Sequence, residues 1–206
     1  PVRAAPNFVP STTIVISQVY GGGGNLSAIY TNDFVELFNL STTNTVSLNG
    51  WSIQYATATG ITWQTTPLTN VSLAPGQYYL VQLASGGYVG SSLPTPDAIG
   101  TTNMAATAGK VALVNTTVAL TGNGCPFVGS VIDFVGYGTT ADCFEGAGRA
   151  PAPSNINADI RIASGCTDTD NNNTDFIVGA PNPRNSSSMG YICGVGTYTP
   201  TSTPTI

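Results

Sequence analysis

The chain has 206 residues, 41% of them hydrophobic, which is enough for one large domain with its own core. Only 7% are charged and the net charge is −5, with no basic run to neutralise phosphates, so nucleic acid is excluded as a partner. No segment approaches the roughly 18 consecutive apolar residues of a membrane-spanning helix, so membrane insertion is not expected either.

Residues 1–12, "PVRAAPNFVPST", carry three Pro and are read as an N-terminal tail and inter-subunit segment. From residue 13 to 196 the pattern is all-β: short runs rich in Val, Ile, Tyr and Phe alternate with Gly, Asn, Pro and Ser clusters. In chain order the predicted strands are 13–20, 34–40, 51–56, 61–65, 77–83, 110–115, 130–138, 158–162 and 189–193, about nine in all. Asn49-Gly50 and Pro75-Gly76 supply hairpin and type II turn chemistry. "TTNMAATAGK" is allowed one short helical turn before Gly109. "GGGG" at 21–24 lacks the Gly-Lys-Ser/Thr ending of a phosphate loop and is read as a flexible connection. Residues 197–206, rich in Thr and Pro, form a C-terminal tail. Many short strands with such punctuation indicate a sandwich or barrel.

The run "NDFVELFNLSTTNTVSLNGWSIQYA" resembles the signature of the lamin-tail domain family. Its acidic strand corresponds to Asp33, Phe34, Val35, Glu36, Leu37, Phe38 and Asn39, and its hydrophobic strand to Val46, Leu48, Gly50 and Trp51. "ISQVYGGGGN" before it, and "LAPGQYYLVQ", "DFVGYG", "CFEG" and "APNPRNS" after it, extend the resemblance over about residues 13–187. The resemblance implies an immunoglobulin-like β-sandwich of the exported bacterial and archaeal branch, a non-catalytic module. Independently of the family, Phe34, Glu36 and Phe38 share one face and Val35 and Leu37 the other, so the strand reads as central. Glu36 must then lie at a sheet end or be paired with a cation. Trp51 and Trp63 read as core aromatics, with a sugar-stacking platform as the rival reading.

The chain has no His, which removes the common nucleophile triads and His-based acid–base catalysis. Neither Asp33 with Glu36 nor Asp142 with Glu145 makes a convincing glycosidase pair, so no enzyme activity is expected. In "CTDTDNNNTD", Asp168, Asp170 and Asn172 have the 1, 3, 5 spacing of a calcium loop, with Asp175 as a further ligand. Asn173 and Gly179 then stand where such a loop needs Gly and Glu, so an Asx-turn loop is the leading reading and Ca²⁺ at Asp168, Asp170 and Asp175 the alternative. The four Cys can pair in three ways; the simplest is sequential, Cys125 with Cys143 and Cys166 with Cys193. None sits in a C-x₂-C pair, which disfavours zinc.

An even Cys count and a start at Pro1 without a leader are read as a mature, exported product, secreted or at the cell surface. N-x-Ser/Thr triplets at Asn25, Asn39, Asn70, Asn115, Asn172 and Asn185 are glycosylation candidates. The expected function is a structural subunit of an extracellular filament or surface assembly. Copies of the chain would polymerise by tail or strand exchange, with Val2, Phe8, Val9, Tyr198 and Ile206 as anchors. The competing readings are a glycan- or surface-binding adhesion module and an accessory domain of a secreted enzyme.

Overall fold

The computed structural model describes residues 10–198 apart from 123 and 127. Among these the strands are β1 (Ile14–Tyr20), β2 (Phe34–Asn39), β3 (Val46–Ser47), β4 (Ser52–Thr57), β5 (Gln64–Pro67), β6 (Ser72–Leu73), β7 (Tyr78–Gln82), β8 (Ala98–Ile99), β9 (Gly109–Val114), β10 (Val131–Tyr137), β11 (Ala158–Arg161), β12 (Phe176–Gly179), β13 (Gly190–Ile192) and β14 (Gly196–Tyr198). A short 3₁₀ turn (Ala163–Gly165) and one helical turn, α1 (Asn172–Asp175), lie between β11 and β12. Each of the nine expected runs holds a strand. The five additional strands are β3, β6, β8, β12 and β14, none longer than four residues.

Two sheets face each other in an immunoglobulin-like β-sandwich. One has the order β12-β11-β1-β2-β7-β8 and the other β10-β9-β4-β5. Pairing is antiparallel throughout both except between β7 and β8. Side-chain alternation sends Ile14, Ile16, Val35, Leu37, Tyr79 and Val81 into the space between the sheets, against Ile53, Tyr55, Val111, Leu113, Val135 and Tyr137. The outer face of the six-stranded sheet is also covered, over one cluster of Tyr20, Phe34, Leu80 and Ala158 and another of Val15, Phe38 and Tyr78. Burial on both faces is why "FVELF" is apolar on both parities. Trp63 is buried edge-on to Phe134 and Trp51 packs against the main core, so neither ring is a free platform.

Tight turns form at Gly50 (φ +78°) and Gly76 (φ +70°), closed by Trp51 N–H to Leu48 O and Gln77 N–H to Ala74 O, but neither closes the expected hairpin, since β3 pairs with β6 while β4 and β7 pair with other strands. Three further expectations need correction. The glycines at 21–24 are a buried, tightly packed segment and not a loose connection: a Cβ on Gly22 would lie 2.6 Å from Asn155 Cα, and one on Gly23 would meet the Asn32–Asp33 peptide. "TTNMAATAGK" contains no helical turn; its backbone instead packs on the polar groups of Asp33, Tyr55 and Tyr137. Finally, Thr197 and Tyr198 belong to the domain, because β14 pairs with β13 and the Tyr198 hydroxyl donates to Pro75 O. Tyr198 is therefore anchored within its own chain and is not a free inter-subunit anchor. Val2, Phe8, Val9 and Ile206 lie outside the described residues.

Candidate functional site

The segment that suggested calcium is organised around a cation supplied by the chain. Arg161, at the end of β11, has a fully buried side chain. Its Nη2 bonds both oxygens of Asp133 on β10 at 3.0 and 2.8 Å, and its Nη1 reaches Asp168 Oδ1 at 3.0 Å and Asp175 Oδ2 at 3.5 Å. Nε donates to Ile16 O on β1, and the guanidinium lies 4.5 Å from the centre of the Phe176 ring. One side chain thus ties β1 and β11 to β10 of the facing sheet. Asp168 also accepts the Ser11 N–H, and Asp175 closes the loop by accepting Thr169 N–H and Oγ1–H.

The expected trio Asp168, Asp170 and Asp175 therefore does not converge as a ligand set. Asp168 and Asp175 are turned onto Arg161, and the acidic oxygens that do gather within 4.8 Å belong to Asp133, Glu145 and Asp168. With one guanidinium for several carboxylates, burial first and like charge second push Asp133 and Asp170 up to about 6 and Glu145 well above its ordinary value.

Asn172, considered above as a ligand and as a glycosylation candidate, performs a different task. Its buried amide accepts from Gly136 N–H and Glu145 N–H and donates to Phe134 O and Glu145 Oε2. Glu145 Oε1 in turn accepts the Phe134 N–H, while Ala150 N–H donates to Gly136 O. Together they occupy the outward backbone groups of β10 as a neighbouring strand would.

The other sheet edges differ. In β5 the ladder phase set by Leu68 N–H to Trp51 O turns Thr65 and Pro67 outward, and Pro67 has no N–H to offer. β8 has two residues. In β12 the bond from Ile162 N–H to Asp175 O sets the phase, so Phe176 and Val178 turn their N–H and C=O groups away from β11. Among the described residues nothing caps them, and Ile177 and Val178 are 54% and 37% exposed.

Beside β12 a segment of the chain crosses the outer face of the six-stranded sheet. Gln18 exchanges two hydrogen bonds with the Asn182 backbone, and Arg184 reaches Glu36 through its backbone N–H, Nε and Nη2. The Arg184 guanidinium also covers the Tyr78 ring at 3.6 Å. Glu36 is thus fully buried and paired, the second of the two alternatives given above. Between this segment and β11–β12 lies a groove of about 360 Å³ lined by Gln18, Ile160, Ile177, Asn182 and Arg184 among others.

Disulfides join Cys125 to Cys143 and Cys166 to Cys193, the sequential pairing, and place the chain in an oxidising, extracellular type of environment. No helix among the described residues is long and apolar enough to cross a membrane. Of the glycosylation candidates, Asn39 and Asn172 are withdrawn. Both are fully buried, and the Asn39 Nδ2 protons serve Asn44 O and Leu73 O.

Sequence reasoning named the right loop but not Arg161, Asn172 or Glu145 in these roles. The signal available was a lone Arg in the apolar-flanked strand "ADIRI", which needs a buried anion. No curated protein matches the chain. The model of the Lamin Tail Domain family matches residues 9–139, well over half of it. With the strand order and core just described, this makes the chain a member of the lamin-tail domain family.

Proposed function

We propose that the protein is a secreted, non-catalytic structural subunit of an extracellular filament or surface assembly, in which copies are joined by strand addition at the β12 edge. The observation that supports this reading is the contrast between edges: β10 is capped by side chains, β5 is blunted by Pro67, β8 is minimal, and β12 offers backbone groups unpaired among the described residues, beside exposed Ile177 and Val178. The donor is the N-terminal segment of a neighbouring copy. Residues 1–9 lead into Pro10, and Ser11 is held by Asp168, whose partner Arg161 stands directly opposite Phe176 of β12. Head-to-tail donation of this kind extends without closing unless the rotation per subunit completes a ring.

Two variants test the reading by light scattering and electron microscopy. Removing residues 1–9, or placing Pro at an outward-facing N–H with Val178→Pro, should leave a folded monomer that no longer assembles. Assembly that survives both changes would overturn strand addition at β12. The groove beside Gln18, Asn182 and Arg184 favours a second reading, a glycan-binding adhesion module, because it sets amide and guanidinium donors against the apolar side chains of Ile160 and Ile177. Saturable binding of soluble oligosaccharides that is lost in Asn182→Ala would favour it.

A further inference from the structure

Six N-x-Ser/Thr triplets occur in the chain, and the fold treats their asparagines in three different ways. Asn39 and Asn172 are fully buried, and each uses its Nδ2 for two hydrogen bonds: Asn39 to Asn44 O and Leu73 O, Asn172 to Phe134 O and Glu145 Oε2. Asn25 and Asn185 are half-buried and their amides hold neighbouring loops, Asn25 through Asn155 Oδ1 at 3.3 Å and Asn185 through Thr95 O at 2.9 Å. Asn70 and Asn115 alone are exposed and, among the described residues, make no side-chain hydrogen bond. Their downstream hydroxyl residues, Ser72 and Thr117, are exposed as well.

We propose that Asn70 and Asn115 are acceptor sites for N-linked glycans, and that Asn39 and Asn172 are excluded by the fold. The co-substrate is a sugar activated as a lipid-linked pyrophosphate. A bond forms from Asn Nδ2 to the anomeric carbon of the sugar, the bond from that carbon to the phosphate oxygen breaks, the lipid pyrophosphate leaves with the electron pair, and the amide loses one proton. The product keeps a single N–H on Nδ2. That is harmless at Asn70 and Asn115, whose side-chain amides make no hydrogen bond among the described residues. At Asn39 and Asn172 it would remove a donor from a buried pair of bonds and force a bulky polar group into a space without room for it.

Both acceptor asparagines flank the smaller sheet at one end. Asn115 follows β9, beside the start of β4, where Ser52 Oγ donates to Thr116 O. Asn70 lies between β5 and β6, two residues beyond Leu68, which bonds Trp51. Each sits close in sequence to an exposed valine, Val71 at 39% and Val118 at 71%, that a glycan would shield from water. The open edge at β12 belongs to the other sheet, so glycans on Asn70 and Asn115 add no group to that edge.

The test is to secrete the full chain from a host that performs N-glycosylation and to map the sites by enzymatic deglycosylation in heavy-oxygen water followed by peptide mass spectrometry. The asparagine-to-aspartate label is expected at residues 70 and 115 and at neither 39 nor 172. Asn70→Gln and Asn115→Gln should each remove one glycan step from the intact mass. Ser72→Ala and Thr117→Ala should do the same while leaving the asparagines in place. Sugar found at Asn39 or Asn172 in folded protein, or none at both Asn70 and Asn115, would overturn the assignment.

Discussion

Asp159 lies on β11 opposite Val19, fully buried, with neither oxygen hydrogen-bonded among the described residues, and burial pushes its carboxyl up to about 8. Asp33, which accepts Gly23 N–H and Met104 N–H, is raised by burial to about 7. In each case the folded chain keeps a proton that the unfolded chain, near its ordinary value of 3.8, has already released. More protons bound in the folded state means that stability is full at acid pH and falls as pH rises towards the folded value. Each such group contributes a slope of about 1.4 kcal/mol per pH unit in that window. Asp159→Asn should therefore flatten the decline of unfolding free energy between about pH 5 and 8 by one such slope. Urea unfolding at a series of pH values reads this directly; an unchanged slope would show that Asp159 does not titrate in the core. Nothing in the sequence marks Asp159, because an acidic residue next to Ile in "ADIRI" is what an exposed strand position also looks like.

At the scale of elements, β10 shows how an edge is closed without a strand. The Asn172 amide and the Glu145 carboxyl occupy outward groups of Phe134 and Gly136, and both residues come from the connections around β11. Asn172→Ala would strand the Gly136 N–H, at a cost of about 1–3 kcal/mol, and would reopen the edge to other chains. The expected result is a lower urea midpoint with concentration-dependent association. Asn173→Ala, in the same turn but exposed, should change stability by no more than about 0.5 kcal/mol. The same loop was legible in the sequence as an Asp and Asn cluster that closes on itself through side-chain to backbone bonds. Its partner Arg161, seven positions from Asp168, was not, because what holds its guanidinium in place is Asp133 of the facing sheet.

For the molecule as a whole, two disulfides hold what the sheets do not. Cys125–Cys143 closes a separation of 18 residues and Cys166–Cys193 one of 27, the latter joining the Arg161 loop to the β13–β14 hairpin. The chain-entropy model assigns about 3–4 kcal/mol to each. Replacing Cys166 and Cys193 together by Ser should lower the unfolding free energy by about that amount, measured by denaturant titration, while alkylation of the unreduced wild-type chain should find no free thiol. Three of the four described cations are committed to internal ion pairs, Lys110 with Asp142, Arg161 with Asp133 and Arg184 with Glu36. That leaves a surface of hydroxyl and amide groups with little charge to oppose close packing of copies.

By itself the sequence determined the all-β class, nine of the fourteen described strands, the turns at Gly50 and Gly76, the two-faced burial of "FVELF" and the family, because these follow from local periodicity, turn chemistry and a contiguous motif. It also narrowed the cysteine pairing, where the sequential option proved right. Only the tertiary structure decided what the polar residues do. Which backbone groups Asn172 caps, what holds Asp133 and which edge is left open among the described residues depend on residues far apart in the chain. Arg161 and Asp133 are 28 positions apart, and Arg184 and Glu36 are 148. Buried polar groups must find partners wherever the fold brings them, and a strand's free edge is defined by the strands that fail to arrive beside it.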